Sequence, residues 1–164
     1  MIKNELTSLV PMIRRFAYSL TGSMPDADDL LQNTIERVLS RRVPDDVELT
    51  KWVFRVCRNL WIDEFRSRKV RQIAAQQPEL SADQIVDGEN AIHSEMELDR
   101  VNLAMEQLPS DQRSILSLVA IQGMSYKEVA ETLEIPMGTV MSRLARARTA
   151  LCHHLNAAPK RISA

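Results

Sequence analysis

Residues 108–151 read "LPSDQRSILSLVAIQGMSYKEVAETLEIPMGTVMSRLARARTAL" and decide the fold, because their helix starts and stops are spelled out one after another. Pro109 and Ser110 can open a helix over about residues 110–121, and Gly123 ends it. Ser125 and Glu128 stand three apart as a capping box, which starts a short helix running to about Leu133. Pro136, tolerated in a first helical turn, then opens a longer last helix. Two helices joined by a tight turn, the second longer, form a helix-turn-helix pattern.

Stepping residues at 100° along the last helix sorts its side chains. Val140, Leu144, Ala147 and Leu151 fall within one narrow apolar stripe, which predicts a face turned to the core. Ser142, Arg146 and Thr149 fall on the far side with the small residues Gly138 and Ala145, so a groove could approach there closely. Arg143 and Arg148 lie on the flanks, and Thr139 adds a hydroxyl near the start. This is the layout of a major-groove reader, with base-edge donors in the centre and cations at the rims. The alternative is an ordinary amphipathic helix whose arginines are a solvated face. The capping box, the Pro-x-Gly break and the hydroxyls of Thr139 and Ser142 raise the reader to equal weight with that alternative, and both stay open at this point.

Working outward, the chain of 164 residues has 45% hydrophobic residues but only 4% aromatic ones and four glycines, a composition suited to small helical cores. The expected class is all-α, as two small helical domains. The net charge of -1 conceals a segregation: residues 1–72 carry +3, residues 73–95 carry -5 and residues 96–164 carry +1. The acidic stretch contains "AAQQPELSADQ", which predicts a flexible acidic linker between a first domain over 1–72 and a second over 96–157, with 158–164 as a tail.

In the first half, an apolar-periodic helix over residues 4–21 should end near Gly22, and Pro25-Asp26 restarts the chain into "DADDLLQNTIERVLSRR". Its acids suit a helix N-terminus, and Arg41 and Arg42 suit its end. Leu31, Ile35, Val38 and Leu39 are expected to form its core stripe, which leaves Asp29, Gln32, Asn33 and Glu36 as a polar strip. After the loop "RVPDDVE" comes a helix that carries seven Lys/Arg against two acids from Lys51 to Arg71, interleaved with Trp52, Phe54, Trp61 and Phe65. Leu49, Val53, Val56 and Leu60 share one face, while Phe54, Trp61 and Phe65 gather on nearly the opposite one. Such a helix is either central to a bundle or uses its cations and aromatics to hold unpaired nucleic acid, where a stacked base contributes about 1–3 kcal/mol.

The order "DADDLLQNTIERV", "KWVFRVCRNLWIDEFRSRK", acidic tether and helix-turn-helix resembles the bacterial extracytoplasmic-function (group IV) sigma factors over nearly the whole chain. The resemblance implies a helical -10 domain (sigma-2) and a helical -35 domain (sigma-4). It also implies binding to the clamp helices and flap of core RNA polymerase, promoter recognition and help in opening the duplex, with no chemistry of its own. By position, Asp29, Leu30, Gln32, Asn33 and Glu36 resemble the strip that docks on the clamp helices. The loop Arg42–Glu48 resembles a segment that captures a flipped -10 base, and Arg55, Arg58, Asn59, Asp63 and Arg66 fall in the -10 binding helix. Ser142, Arg143 and Arg146 resemble the -35 readers, with Thr139 beside them and Lys127 and Arg148 nearer the backbone. Met141 stands where relatives often have a basic residue and Ala145 where some carry a larger one, so the resemblance does not carry over an exact -35 sequence. An anti-sigma partner is implied, since family members are commonly held inactive by one. The "SLTG…DADDLLQ" stretch is reminiscent of the general-stress subgroup of alphaproteobacteria.

Enzyme chemistry is not expected. Cys152, His153 and His154 are adjacent and splay around a helix instead of converging on a metal, and His93 lies in the acidic stretch. No cofactor site is expected either. The chain opens without a charged-then-apolar leader and has no run long enough to span a bilayer, which predicts a cytoplasmic protein with no membrane insertion. The rival function is a helix-turn-helix regulator acting on duplex DNA without polymerase, in which the polar strip and the aromatic-basic helix would have no purpose.

Overall fold

The computed structural model describes residues 2–75 and 93–157, and these form helices with no strand among them. The expected tail and residues 76–92 of the expected linker lie outside the described residues. In the first half, α1 (Ile2–Thr21) ends at Gly22, whose φ of +72° closes the helix with a 2.7 Å bond from its N–H to the Tyr18 carbonyl. Ser23 caps α2 (Met24–Ser40), and α3 follows over Leu49–Ala75. In the second half come α4 (His93–Glu106), α5 (Ser110–Leu116), α6 (Tyr126–Leu133) and α7 (Met137–Ala157). Both α3 and α4 extend three residues into the stretch expected to be linker, so His93 is helical.

α5 does not stop at Leu116. It widens into a π-helical turn over Ser117–Ile121, marked by a bond from the Gln122 N–H to the Ser117 carbonyl at 3.1 Å. Gly123, at φ +70°, then reverses the chain. The capping box that starts α6 is formed in both directions, with Ser125 Oγ accepting from the Glu128 N–H at 3.1 Å and Glu128 Oε1 accepting from the Ser125 N–H at 2.8 Å. A cap of this kind contributes about 1 kcal/mol.

One buried cluster joins both halves. Ile13, Phe16 and Leu20 of α1, Val38 of α2, and Val53, Phe54 and Cys57 of α3 belong to the same core as Ile115, Leu118, Val129, Val140 and Leu144. Phe16 and Phe54 meet edge to face with ring centroids 5.2 Å apart. The two apolar stripes of α3 are thereby explained: the helix packs on α1 and α2 on one side and on α6 on another. The core stripe of α2 is Ala27, Leu30, Leu31, Thr34 and Val38, with Ile35 half-buried. Leu39 departs from its expected place and is 47% exposed, because it lies one step of 100° beyond Val38 at the end of the helix.

Candidate nucleic-acid interface

α7 presents the face that its sequence predicts. Val140, Leu144 and Ala147 are buried, with Leu151 half-buried beside them, and this stripe fixes the rotation of the helix. Ser142, Ala145, Arg146, Arg148 and Thr149 are consequently exposed together on the outer side. Thr139 is half-buried and its carbonyl accepts from Ser142 Oγ at 3.3 Å. Arg143 is held at the flank by Asp111 of α5, Nε to Oδ2 at 3.4 Å, and Lys127 is exposed on α6. A Cβ added at Gly138 would meet nothing within 4 Å, so the low bulk there is a feature of the outer surface and not of internal packing.

α3 divides its expected nucleic-acid residues between two fates. Asn59 and Asp63 are exposed, while the side chain of Arg66 lies outside the described residues. Arg55 and Arg58 instead turn onto the second half. Arg55 Nε donates to the Thr132 carbonyl at 2.6 Å and its Nη2 to the Glu131 carbonyl at 3.1 Å, while Arg58 Nε donates to Ser114 Oγ at 2.9 Å. The interleaved aromatics also go largely inward. Phe54 and Trp61 are core residues, Trp52 is half-buried beneath the Arg55 guanidinium at 5.4 Å, and Phe65 is partly exposed while touching Trp61. Burial of these rings contributes more to stability than a solvated position would, which is why packing claimed them. In the loop, Arg42 pairs with Asp45 at 3.4 Å and both are well exposed.

The polar strip on α2 is intact. Asp29, Gln32, Asn33 and Glu36 are exposed, but Leu30 departs from its expected place in that strip: it is only 7% exposed, because it falls on the core stripe of α2 and lines a groove of about 670 Å³ between α2 and α3. Asn33, Trp61 and Phe65 line the same groove, and Arg113 reaches it from α5.

Four side chains that tie the halves together, Arg113, Lys51, Glu131 and Glu134, escaped the sequence reading. Arg113 is 4% exposed, donates from Nε to the Ser19 carbonyl at 3.1 Å and lies 5.9 Å over the Trp61 ring, and burial pulls its guanidinium down to about 10. Its place three residues before the apolar Leu116 was the signal available. Lys51, Glu131 and Glu134 form ion pairs between the halves: Lys51 Nζ lies 2.6 Å from Glu131, and Arg55 Nη1 lies 3.6 Å from Glu134. The hydrogen bond to Glu131 raises Lys51 above the ordinary lysine range, and the same bond lowers the Glu131 carboxyl. Nothing local in the sequence marks these partners, which stand some 80 residues apart.

Among the described residues no group of three His, Cys, Asp or Glu could hold a metal ion, and no helix is long and apolar enough to cross a membrane. The helix-turn-helix with its outward Ser142 and Arg146, joined to a helical unit that carries an exposed polar strip, is the layout of a transcription initiation factor of the sigma-70 class. Comparison with known families agrees: the sigma-70 region 2 model matches residues 6–71 and the sigma-70 region 4 model matches residues 98–151. The chain is 32% identical over 152 residues to the ECF RNA polymerase sigma factor EcfG of Rhodopseudomonas palustris, covering 92% of this chain and 82% of the relative. It also resembles the sigma factor RpoE of Bartonella quintana, solved with the anti-sigma factor NepR, at a TM-score of 0.74 and 26% identity over 96% of this chain and 98% of that one. The fold is shared with CnrH, solved with the cytosolic domain of CnrY, at a TM-score of 0.68 and 24% identity, covering 96% of this chain and 91% of that one.

The chain belongs to the extracytoplasmic-function sigma factors. As a sigma factor it binds core RNA polymerase and promoter DNA and directs transcription initiation, and its family is not enzymatic.

Proposed function

We propose that this sigma factor serves a general stress response in the cytoplasm under anti-sigma control, reading the -35 element through α7 and the -10 element through α3. The observation that carries the -35 assignment is the pairing of a buried stripe, Val140, Leu144 and Ala147, with an exposed row holding Ser142 and Arg146 on the same helix. In that arrangement Arg146 donates to a guanine edge, Ser142 and Thr139 add hydroxyl contacts, and Lys127, Arg143 and Arg148 reach phosphates. On the first half, Asn59, Asp63 and Arg66 continue along α3 from Arg55 and Arg58 to meet the unpaired -10 strand, and the loop of residues 42–48 takes a flipped base. Asp29, Gln32, Asn33 and Glu36 dock on the clamp helices, with Leu30 packed beneath them and not on that surface, and the second half sits on the flap. Anti-sigma control is supported by the likeness to the Bartonella RpoE bound to NepR, and the stress role by the likeness to EcfG.

In vitro transcription with purified core polymerase and a library randomised at both promoter elements tests this reading. Enrichment of a two-element promoter is expected only when chain and core are both present. Tight promoter binding by the isolated chain, with core adding nothing, would refute it.

A further inference from the structure

α7 carries two methionines that its packing does not use. Met137 and Met141 are 48% and 49% exposed and stand outside the core, whereas Met105 of α4 is buried. They are four residues apart, so they are neighbours on one face of the helix, one in its first turn and one in its second. With Val140 in the buried stripe, steps of 100° put both methionines between that stripe and the exposed Ala145. Ser142 and Arg146 continue the exposed surface on the other side of Ala145.

The outer surface of α7 therefore has two chemically different edges. One holds the hydrogen-bond donors Ser142 and Arg146. The other is apolar over its first two turns and gains a cation only further on, at Arg148. Between the edges bulk is low, since Gly138 and Ala145 stand there and a Cβ added at Gly138 would meet nothing within 4 Å. A single exposed apolar side chain needs no explanation. Two at helical spacing, beside the donors assigned above to the -35 element, are placed to meet the same duplex.

In a helix-turn-helix it is the N-terminal residues of the second helix that contact base edges. Met137 and Met141 belong to those turns, and Arg148 lies beyond them, in keeping with its phosphate contact. The major groove offers one apolar group, the C5 methyl of thymine. A methionine has no charge for a phosphate and no donor for a base edge, but its unbranched, polarizable thioether moulds itself around a methyl group.

We propose that Met141, backed by Met137, is a specificity-determining residue that takes a thymine methyl in the -35 element. The inference rests on the reading of that element by α7. Met141 precedes Arg146 by five residues, about 7.5 Å along the helix axis. At about 3.4 Å per base pair, the thymine falls roughly two to three base pairs from the guanine that Arg146 reads.

The test uses holoenzyme assembled from the full chain and core polymerase, on promoter duplexes carrying the -35 element enriched from the randomised library. Deoxyuridine replaces each thymidine of that element in turn, which removes the methyl and leaves every hydrogen-bonding edge in place. At one position the affinity of the wild-type holoenzyme should fall about fourfold, the loss expected for one buried methyl group. Met141→Ala should lose that discrimination, and Met141→Leu should keep it. In parallel, 7-deazaguanine in place of guanine removes the N7 acceptor and probes Arg146 separately.

Wild-type indifference to deoxyuridine at every position, together with a loss on 7-deazaguanine, would overturn the methionine contact and leave α7 as the reader. Indifference to both would remove α7 from the -35 element, and the inference with it. A deoxyuridine effect that survives in Met141→Ala would assign the methyl to another residue or to the shape of the duplex. An enriched element with no thymine on either strand within about three base pairs of the guanine would equally overturn the proposal.

Discussion

Arg143 of α7 is tied to Asp111 of α5, with Nε 3.4 Å from the carboxylate, so one flank of α7 is braced against the helix that precedes the turn. Both side chains are roughly a third exposed, which places the pair in the weakly stabilising class. A double-mutant cycle of Asp111→Ala and Arg143→Ala in thermal unfolding should give a coupling of about 0.2–1 kcal/mol. Strict additivity would show that the brace does not hold in solution.

Arg146 stands in the centre of the exposed row, backed by Leu144 and Ala147 in the core. A bidentate contact to guanine discriminates by about 1–3 kcal/mol, so Arg146→Ala should lower -35-dependent transcription roughly 5- to 150-fold. It should also flatten the preference at one or two base positions. Arg148→Ala should weaken all -35 sequences about equally. An unaltered base preference in a randomised -35 library after Arg146→Ala would remove the proposed register.

Asp29, Gln32 and Asn33 are exposed opposite the buried stripe of α2, so replacing all three by alanine should leave the fold intact. Competition with a second sigma factor for core polymerase should then require about tenfold more of the variant, the loss expected when a few central contacts are removed. Equal competition would move the docking surface elsewhere.

Cys57 is buried and burial pushes its thiol up to about 12, while Cys152 is exposed. An aromatic disulfide reagent at pH 8 should titrate Cys152 in the native chain and reach Cys57 only after denaturation. The folded chain keeps a proton on Cys57 that the unfolded chain gives up, so this thiol contributes stability that is lost as pH rises from about 9 towards 12. A Cys57→Ser variant, measured against wild type by chemical denaturation, should show a flatter loss over that range. Equal slopes would place the thiol in a wetter environment.

Much of the second half was legible because its signals are local. The capping box of Ser125 and Glu128, the reversal at Gly123 and the stripe of Val140, Leu144 and Ala147 each depend on residues within a few turns of one another. The destinations of Lys51, Arg55 and Arg58 were not legible, because a run of cations on a helix records its charge and not its partner. The aromatic residues of α3 show the same limit: periodicity revealed two apolar stripes but could not say that α6 covers part of the helix while Phe54 packs on Phe16. Leu30 and Leu39 differ by where the helix meets its neighbours, since the groove floor takes the first and the helix end exposes the second.

The wide turn at Ser117–Ile121 separates residue number from helical phase. A π turn spends an extra residue without advancing the helix by a full α step, so the residues before and after it keep their facing while the count between them changes by one. A chain that lacks one residue in this stretch can therefore keep the same reversal at Gly123 and the same exposed face of α7. Within 117–121, a one-residue deletion is an edit that leaves the orientation of α7 against α5 in place, whereas the same deletion inside α7 rotates every later side chain by about 100°.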